Sequence, residues 1–238
     1  MCDVCGCGDR RKVSIDVHAS LLAGNDREAA HLREHFVAAG VLAVNVMGSP
    51  GAGKTALLEA TARALHGRLR LAAVSGDLAT ELDAERLARA GVPSATITTG
   101  SACHLDASMV HDALHAPALA AAVSACDLFF IENVGNLVCP AVYDLGQGAS
   151  VVLLSVTEGV DKPLKYPVMF RKADLVVLTK ADLLPHLPGV SVDAVRANVA
   201  RVMPSARVIE TSAVTGQGVD EFVVWLEAHR PRREGRPA

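Results

Sequence analysis

Eight residues, Gly48-Ser49-Pro50-Gly51-Ala52-Gly53-Lys54-Thr55, constrain this chain more than any other feature. They lie between an apolar run at 41–47 and a helical pattern that begins near Lys54. The spacing G-x-x-x-x-G-K-T surrounds phosphate oxygens with backbone amides, turned by glycine and aimed by a helix N-terminus. Gly48, Ser49, Gly51, Ala52 and Gly53 then line the phosphates, Lys54 neutralises β/γ charge and Thr55 reaches Mg²⁺. The rest of the chain supplies a matching alternation. Further apolar runs at 69–74, 95–98, 128–131, 150–156, 175–178 and 207–209 are separated by helical segments. In the last of these segments Val219, Phe222, Val223 and Leu226 fall on one stripe. The expected fold is α/β, a P-loop NTPase with a mostly parallel β-sheet flanked by helices on both faces. Functional residues in such sheets gather beyond the carboxyl ends of the strands.

Composition narrows the options. Half of the 238 residues are apolar but only 3% are aromatic, so small and branched aliphatics are expected to dominate the core. The net charge of −3 and the lack of an aromatic stacking platform argue against a nucleic-acid partner. The one basic cluster, Arg230, Arg232, Arg233 and Arg236, reads as a solvated end. No membrane span is expected, because the longest apolar stretch, 117–131, is interrupted by Asp127. The first residues are cysteines and charges, unlike a secretory signal, so a cytoplasmic location with reduced thiols is expected. Three parts follow: a flexible cysteine tail over 1–20 for metal binding, the P-loop domain over 21–230, and a disordered basic tail over 231–238. Within the domain a first helix is expected at 25–39, with Asn25 as its cap and Gly40 at its end.

Two acids fall on the same strand ends as the loop. Asp77 follows the 69–74 run and Glu132 the 128–131 run, where carboxylates hold Mg²⁺ and position an attacking water. Lys54, Asp77 and Glu132 are therefore the candidate catalytic residues. Thr179-Lys180-Ala181-Asp182 suggests the base, since Asp182 can accept two hydrogen bonds from guanine N1–H and its exocyclic amine. This favours GTP over ATP as substrate. Thr179 stands where the usual pattern has asparagine and cannot reproduce its amide contacts, which weakens guanine selectivity. A backbone amide of Ser212-Ala213 can meet guanine O6.

Thiols form two groups. Cys2, Cys5 and Cys7 place three soft ligands in six residues, close enough for one flexible segment to wrap an ion. Cys103-His104, beyond the 95–98 run, and Cys139, beyond Glu132, share the nucleotide edge and suit Zn²⁺ or Ni²⁺. Three ligands leave a position open, so two subunits can share ions across a homodimer interface. Cys126 begins an apolar run and reads as a core residue. His31 and His35 read as solvated, whereas His111 and His115 could supplement the internal site.

In order along the chain, the Cys2/Cys5/Cys7 tail, Gly48–Thr55, Cys103-His104-Leu105-Asp106-Ala107, the run 132–140 and Glu158-Gly159-Val160-Asp161-Lys162-Pro163-Leu164-Lys165-Tyr166-Pro167 resemble the HypB-type nickel-incorporation GTPases of [NiFe]-hydrogenase maturation. The resemblance implies a slow Mg²⁺-dependent GTPase that dimerises with nucleotide. It also implies nickel at the tail, nickel or zinc at the internal site, and delivery with a zinc-binding accessory protein to the hydrogenase large subunit. Residues 8–30 contain only His18, not the long histidine-rich stretch of some members, so bulk nickel storage is not expected. The residues alone reach only a metal-responsive P-loop GTPase. The rival readings are a nickel GTPase serving urease, a small-molecule P-loop kinase or ATPase with structural thiols, and a zinc-dependent dimer in which nucleotide is a conformational ligand.

Overall fold

The computed structural model describes residues 10–77, 80–100, 102–205 and 207–231, with side chains from residue 22 onward. Seven strands form one sheet: β1 (Leu42–Gly48), β2 (Leu71–Asp77), β3 (Ser94–Thr98), β4 (Leu128–Glu132), β5 (Ala149–Ser155), β6 (Leu175–Thr179) and β7 (Arg207–Glu210). Their order is β3-β2-β4-β1-β5-β6-β7, and every neighbouring pair is parallel. The helices are α1 (Arg10–Ala38), α2 (Lys54–Ala64), α3 (Leu82–Arg89), α4 (Ala107–Leu114), α5 (Ala120–Val123), α6 (Lys162–Lys165), α7 (Pro167–Arg171), α8 (Val192–Val202) and α9 (Val219–His229).

All seven apolar runs become strands because the central ones are buried on both faces, so they need no polar alternation. Alternate residues serve opposite layers. Phe130 of β4 packs with Leu57, Leu58, Phe222 and Leu226 of α2 and α9, whereas Phe129 and Ile131 pack with Leu32, Phe36, Val110 and Leu114 of α1 and α4. A third cluster joins Val152 and Val176 to Phe170, Val195 and Val199 of α7 and α8. The scarcity of rings is offset by their placement, since all five phenylalanines are core residues. Cys126 is buried as expected. Among the described residues, no helix is long and apolar enough to cross a membrane.

The strands run further than the apolar pattern suggests, so that Gly48, Asp77, Glu132 and Thr179 are the last residues of β1, β2, β4 and β6. Rigid sheet, not loop, therefore carries four of the candidate site positions. The first helix also departs from expectation: α1 spans Arg10–Ala38, so residues 10–20 are helical and not tail. Asn25 lies inside this helix and is not its cap. Its amide group instead donates to the Asp144 carbonyl, and its Oδ1 accepts from the Ala107 N–H at the start of α4. A single buried side chain thus joins α1 to two loops, which outweighs the local capping signal. Gly40 does end the helix, with φ of 62°. Cys2, Cys5, Cys7 and residues 232–238 lie outside the described residues.

Asn25→Asp tests this role, because aspartate caps helices as well as asparagine does but cannot donate to Asp144. The substitution is expected to lower stability by about 1–3 kcal/mol, the cost of unpaired buried polar groups. The check is the midpoint of urea unfolding at unchanged slope; a cap alone would leave the midpoint in place.

Candidate functional site

The loop leaving β1 wraps toward the N-terminus of α2, with Gly53 at the cap position and φ of 92°, a conformation that disfavours a side chain. Beside it opens a cavity of 480 Å³ lined by the loop, Asp77, Asp83, Arg86, Glu132, Asn133 and Gly135. Lys54 is buried with its ammonium 3.4 Å from the carbonyls of Gly48 and Ser49. Burial lowers its pKa, and the nearby carboxylates of Glu132, Asp83 and Glu158 oppose that shift. A larger cleft of 1270 Å³ lies at the opposite sheet edge, but two of its arginines, Arg68 and Arg70, already pair with Glu227 and Asp127.

Two carboxylates converge on one hydroxyl. Thr55 Oγ1 lies 2.7 Å from Glu132 Oε1 and 2.8 Å from Asp83 Oδ1, yet a hydroxyl has only one proton to donate. The other oxygen of Glu132 is buried with no hydrogen-bond partner among the described residues. Desolvation raises the Glu132 pKa to about 7, against the lowering effects of the Thr55 hydrogen bond and the Lys54 charge. A hard cation among Thr55, Glu132 and Asp83 satisfies all these oxygens at once, so the donor set fits Mg²⁺. Asp83 was not evident in the sequence. It sits in the first turn of α3, six residues past Asp77, and only the packing of α3 beside α2 brings it to Thr55. Arg86 supports it, pairing with Glu59 and approaching Asp83 at 3.4 Å. Asp77 lines the same cavity, and its carboxylate accepts from the amide and hydroxyl of Thr80.

The residues expected to meet the base are tied to the phosphate loop. Thr179 Oγ1 donates to the Ala52 carbonyl at 2.6 Å, and Lys180, with φ of 59°, donates from Nζ to the Gly51 carbonyl at 2.7 Å. Asp182 follows in a short 3-10 segment, Ala181–His186. The Ser212 amide is already committed to the Gln217 carbonyl, so of the Ser212-Ala213 pair only Ala213 is left to offer its amide. Ser49, from the loop itself, donates to Glu158, whose other oxygen accepts from the Ser155 amide.

The internal thiols also meet. The sulfurs of Cys103 and Cys139 are 2.9 Å apart, and His104 Nδ1 is 3.8 Å from the Cys103 sulfur. The His104 ring stacks on Tyr143 with centroids 3.8 Å apart. Partial burial lowers the His104 pKa against the nearby Asp106 charge, which keeps the imidazole neutral and able to ligate. The contact with Cys103 raises the Cys139 pKa, so this thiol keeps its proton until a cation displaces it. His111 does not join this set; it groups with Glu28 and His31 of α1.

The segment 132–139 connects the two sites. Its Asn136 amide donates to the Gly48 carbonyl at 3.1 Å, and Asn136 Nδ2 donates to the Cys103 carbonyl at 3.3 Å. Asn133 Oδ1 accepts from the Leu105 amide, and Asn133 Nδ2 donates to Asn45. Gly135 fits by lacking a side chain, since a Cβ there would stand 2.9 Å from the Pro50 backbone. The asparagines were visible in sequence, but their partners are far away along the chain and gave no local signal.

This sheet order, loop and carboxylate pair define a P-loop nucleotide-binding protein with a thiol–imidazole cluster on the nucleotide edge. Comparison with known proteins agrees. The family model "CobW/HypB/UreG, nucleotide-binding domain" matches residues 42–210. A hydrogenase maturation factor HypB of Rhizobium leguminosarum bv. viciae is 48% identical over 221 residues, covering 92% of this chain and 72% of that protein. The crystal structure of HypB from Helicobacter pylori in complex with nickel superposes with a TM-score of 0.82 at 39% identity, covering 89% of this chain and 99% of that one. The HypB structure from Archaeoglobus fulgidus gives 0.79 at 40% identity, with 87% and 98% covered. The chain belongs to the CobW/HypB/UreG family and, within it, to the HypB hydrogenase maturation factors.

Two outcomes test this geometry. Gly135→Ala is expected to weaken nucleotide binding and to destabilise the fold by about 1–3 kcal/mol, because Pro50 backbone must move; fluorescent-GDP titration and urea unfolding read both. For Glu132, the folded nucleotide-free protein holds a proton that the unfolded chain releases between pH 4.5 and about 7. That contribution to stability is full below the lower value and is lost as pH rises through the upper one. Glu132→Gln is expected to flatten the dependence of melting temperature on pH over this window.

Proposed function

We propose that this protein is a Mg²⁺-dependent GTPase that couples GTP hydrolysis to nickel delivery during hydrogenase maturation. The observation that carries the reading is Asn136, which bonds the phosphate loop through Gly48 and the thiol site through Cys103. Family membership and the nickel complex of the H. pylori relative support nickel as the cargo.

In this reading the loop amides and Lys54 hold the β- and γ-phosphates, and Asp182 with the Ala213 amide recognises guanine. Thr55, Glu132 and Asp83 would hold Mg²⁺, which would supply positive charge against the phosphate oxygens. Asp77 and Glu132 orient a water that forms a bond to the γ-phosphorus. The bond to the β–γ bridging oxygen breaks, leaving GDP and inorganic phosphate. Glu132 ends a rigid strand and begins the segment 132–139, so a change in its partners is felt at Asn136 and Cys139. Cys103, His104 and Cys139 hold the ion between turnovers, and Zn²⁺ suits the same donors. Val138 and Val142, 56% and 45% exposed, flank Cys139 and fit a homodimer whose second copy completes the coordination. Cys2, Cys5 and Cys7 form the capture site, and a cytoplasmic zinc-binding accessory protein and the hydrogenase large subunit take the ion onward.

Nickel affinity of the internal site, measured with GDP and with a non-hydrolysable GTP analogue, is expected to differ by roughly 5- to 150-fold, the usual range of allosteric coupling. Equal affinities remove the coupling. Asn136→Ala is expected to shrink the difference while GTP hydrolysis persists. Competition against fluorescent GDP is expected to favour GTP strongly over ATP, and Asp182→Ala to abolish that preference; equal competition by ATP would favour the kinase reading.

A further inference from the structure

Away from the phosphate and thiol sites, ligating side chains converge once more among the described residues, between α1 and α4. Glu28 and His31 lie three residues apart on one face of α1, and His111 comes from the last turn of α4. One ligand atom from each of the three lies within 4.8 Å of the other two. His111 Nδ1 is 2.5 Å from Glu28 Oε1, and His31 Nδ1 is 3.9 Å from the same oxygen. That oxygen is buried and, among the described residues, accepts no hydrogen bond of good geometry, although two imidazole nitrogens approach it. The rings of His31 and His111 meet edge-on with centroids 5.6 Å apart, and the His115 ring is 5.3 Å from His111.

We propose that Glu28, His31 and His111 form a second cation site, with His115 within reach as a further donor. Two imidazoles and one carboxylate select a borderline divalent transition ion such as Zn²⁺ or Ni²⁺, since Mg²⁺ and Ca²⁺ take oxygen ligands. A tetrahedral ion with bonds of ~2.1 Å holds its donors ~3.4 Å apart. Relative to Glu28 Oε1, His31 Nδ1 therefore closes by ~0.5 Å, which its exposed side chain allows, and His111 Nδ1 withdraws by ~0.9 Å. The bound ion places positive charge where a carboxylate oxygen and two imidazole nitrogens already converge. It also bridges α1 to α4, the helix that directly follows Cys103-His104. Asn25, one turn before Glu28, already joins the same two helices and the Asp144 loop next to Tyr143. The site thus clamps the helix pair that frames His104, and it requires no nucleotide.

The test uses the full-length chain with Cys2, Cys5, Cys7, Cys103 and Cys139 changed to serine, so that both thiolate sites are removed. Equilibrium dialysis with Zn²⁺ is expected to retain one equivalent. Co²⁺ in its place is expected to show ligand-field bands without a thiolate charge-transfer band. His31→Ala, at an exposed position, and Glu28→Gln are each expected to weaken binding by about tenfold or more, since even loss of a group behind a ligand costs that much. GDP binding confirms that the variants are folded. His31→Cys in the same background is expected to restore binding and to add the charge-transfer band. Absence of a retained equivalent, its persistence in the His31→Ala/His111→Gln pair, or a His31→Cys spectrum without the new band would overturn the proposal.

Discussion

The segment that leaves β4 at Glu132 lies directly against the phosphate loop, and the geometry of both sites depends on that contact. Asn136 closes an antiparallel bridge onto Gly48, and Gly135 leaves no room for a side chain above Pro50. Because β1 and β4 are neighbouring parallel strands, their carboxyl ends emerge side by side. The same strand pairing therefore sets the height of the phosphate loop and of the thiol that follows it. A packed interior deforms little, so movement in one loop is transmitted to the other and not absorbed between them.

Charge organises the nucleotide edge. Lys54 and Glu132 are both withdrawn from water and each disfavours its charged form, yet each is close enough to oppose the other's shift. Thr55 has one proton for two carboxylates. Such an arrangement is held together by neighbouring structure, chiefly the sheet and the Arg86–Glu59 pair behind Asp83. In the proposed function a divalent cation and phosphates would resolve it, and the energy of ligand binding would thereby be tied to the position of Glu132. The internal cluster has the same character in softer chemistry: an imidazole shelved on Tyr143 and two sulfurs in contact. Both sites hold donors already gathered, which lowers the entropy lost when a ligand arrives.

Much of this was legible in the residues. All seven strands, the phosphate loop, the apolar stripe of α9 and the grouping of Cys103, His104 and Cys139 follow from spacing and residue type. The misreadings share a cause. Asn25 beside Gly24 carries a local capping signal, but its bonds to Ala107 and Asp144 lie 82 and 119 residues away. Asp83 looks like an ordinary acid in the first turn of a helix. His111 follows the Cys103-His104 motif at close spacing, yet α4 turns it toward α1. Ser212 offers its amide in sequence, while the turn back to Gln217 consumes it.

By itself the sequence determined which chemistry was present: a phosphate loop whose glycines permit the necessary backbone, carboxylates at strand ends, and thiols beyond two successive strands. These are local properties, encoded in residue type and period. Tertiary structure alone decided which groups share an atom: Thr55 between Asp83 and Glu132, Asn136 between Gly48 and Cys103, and Glu28 between His31 and His111. The reason is that a parallel sheet brings distant strand ends to one edge through long crossovers, so contacts made there have no counterpart in the spacing of residues along the chain.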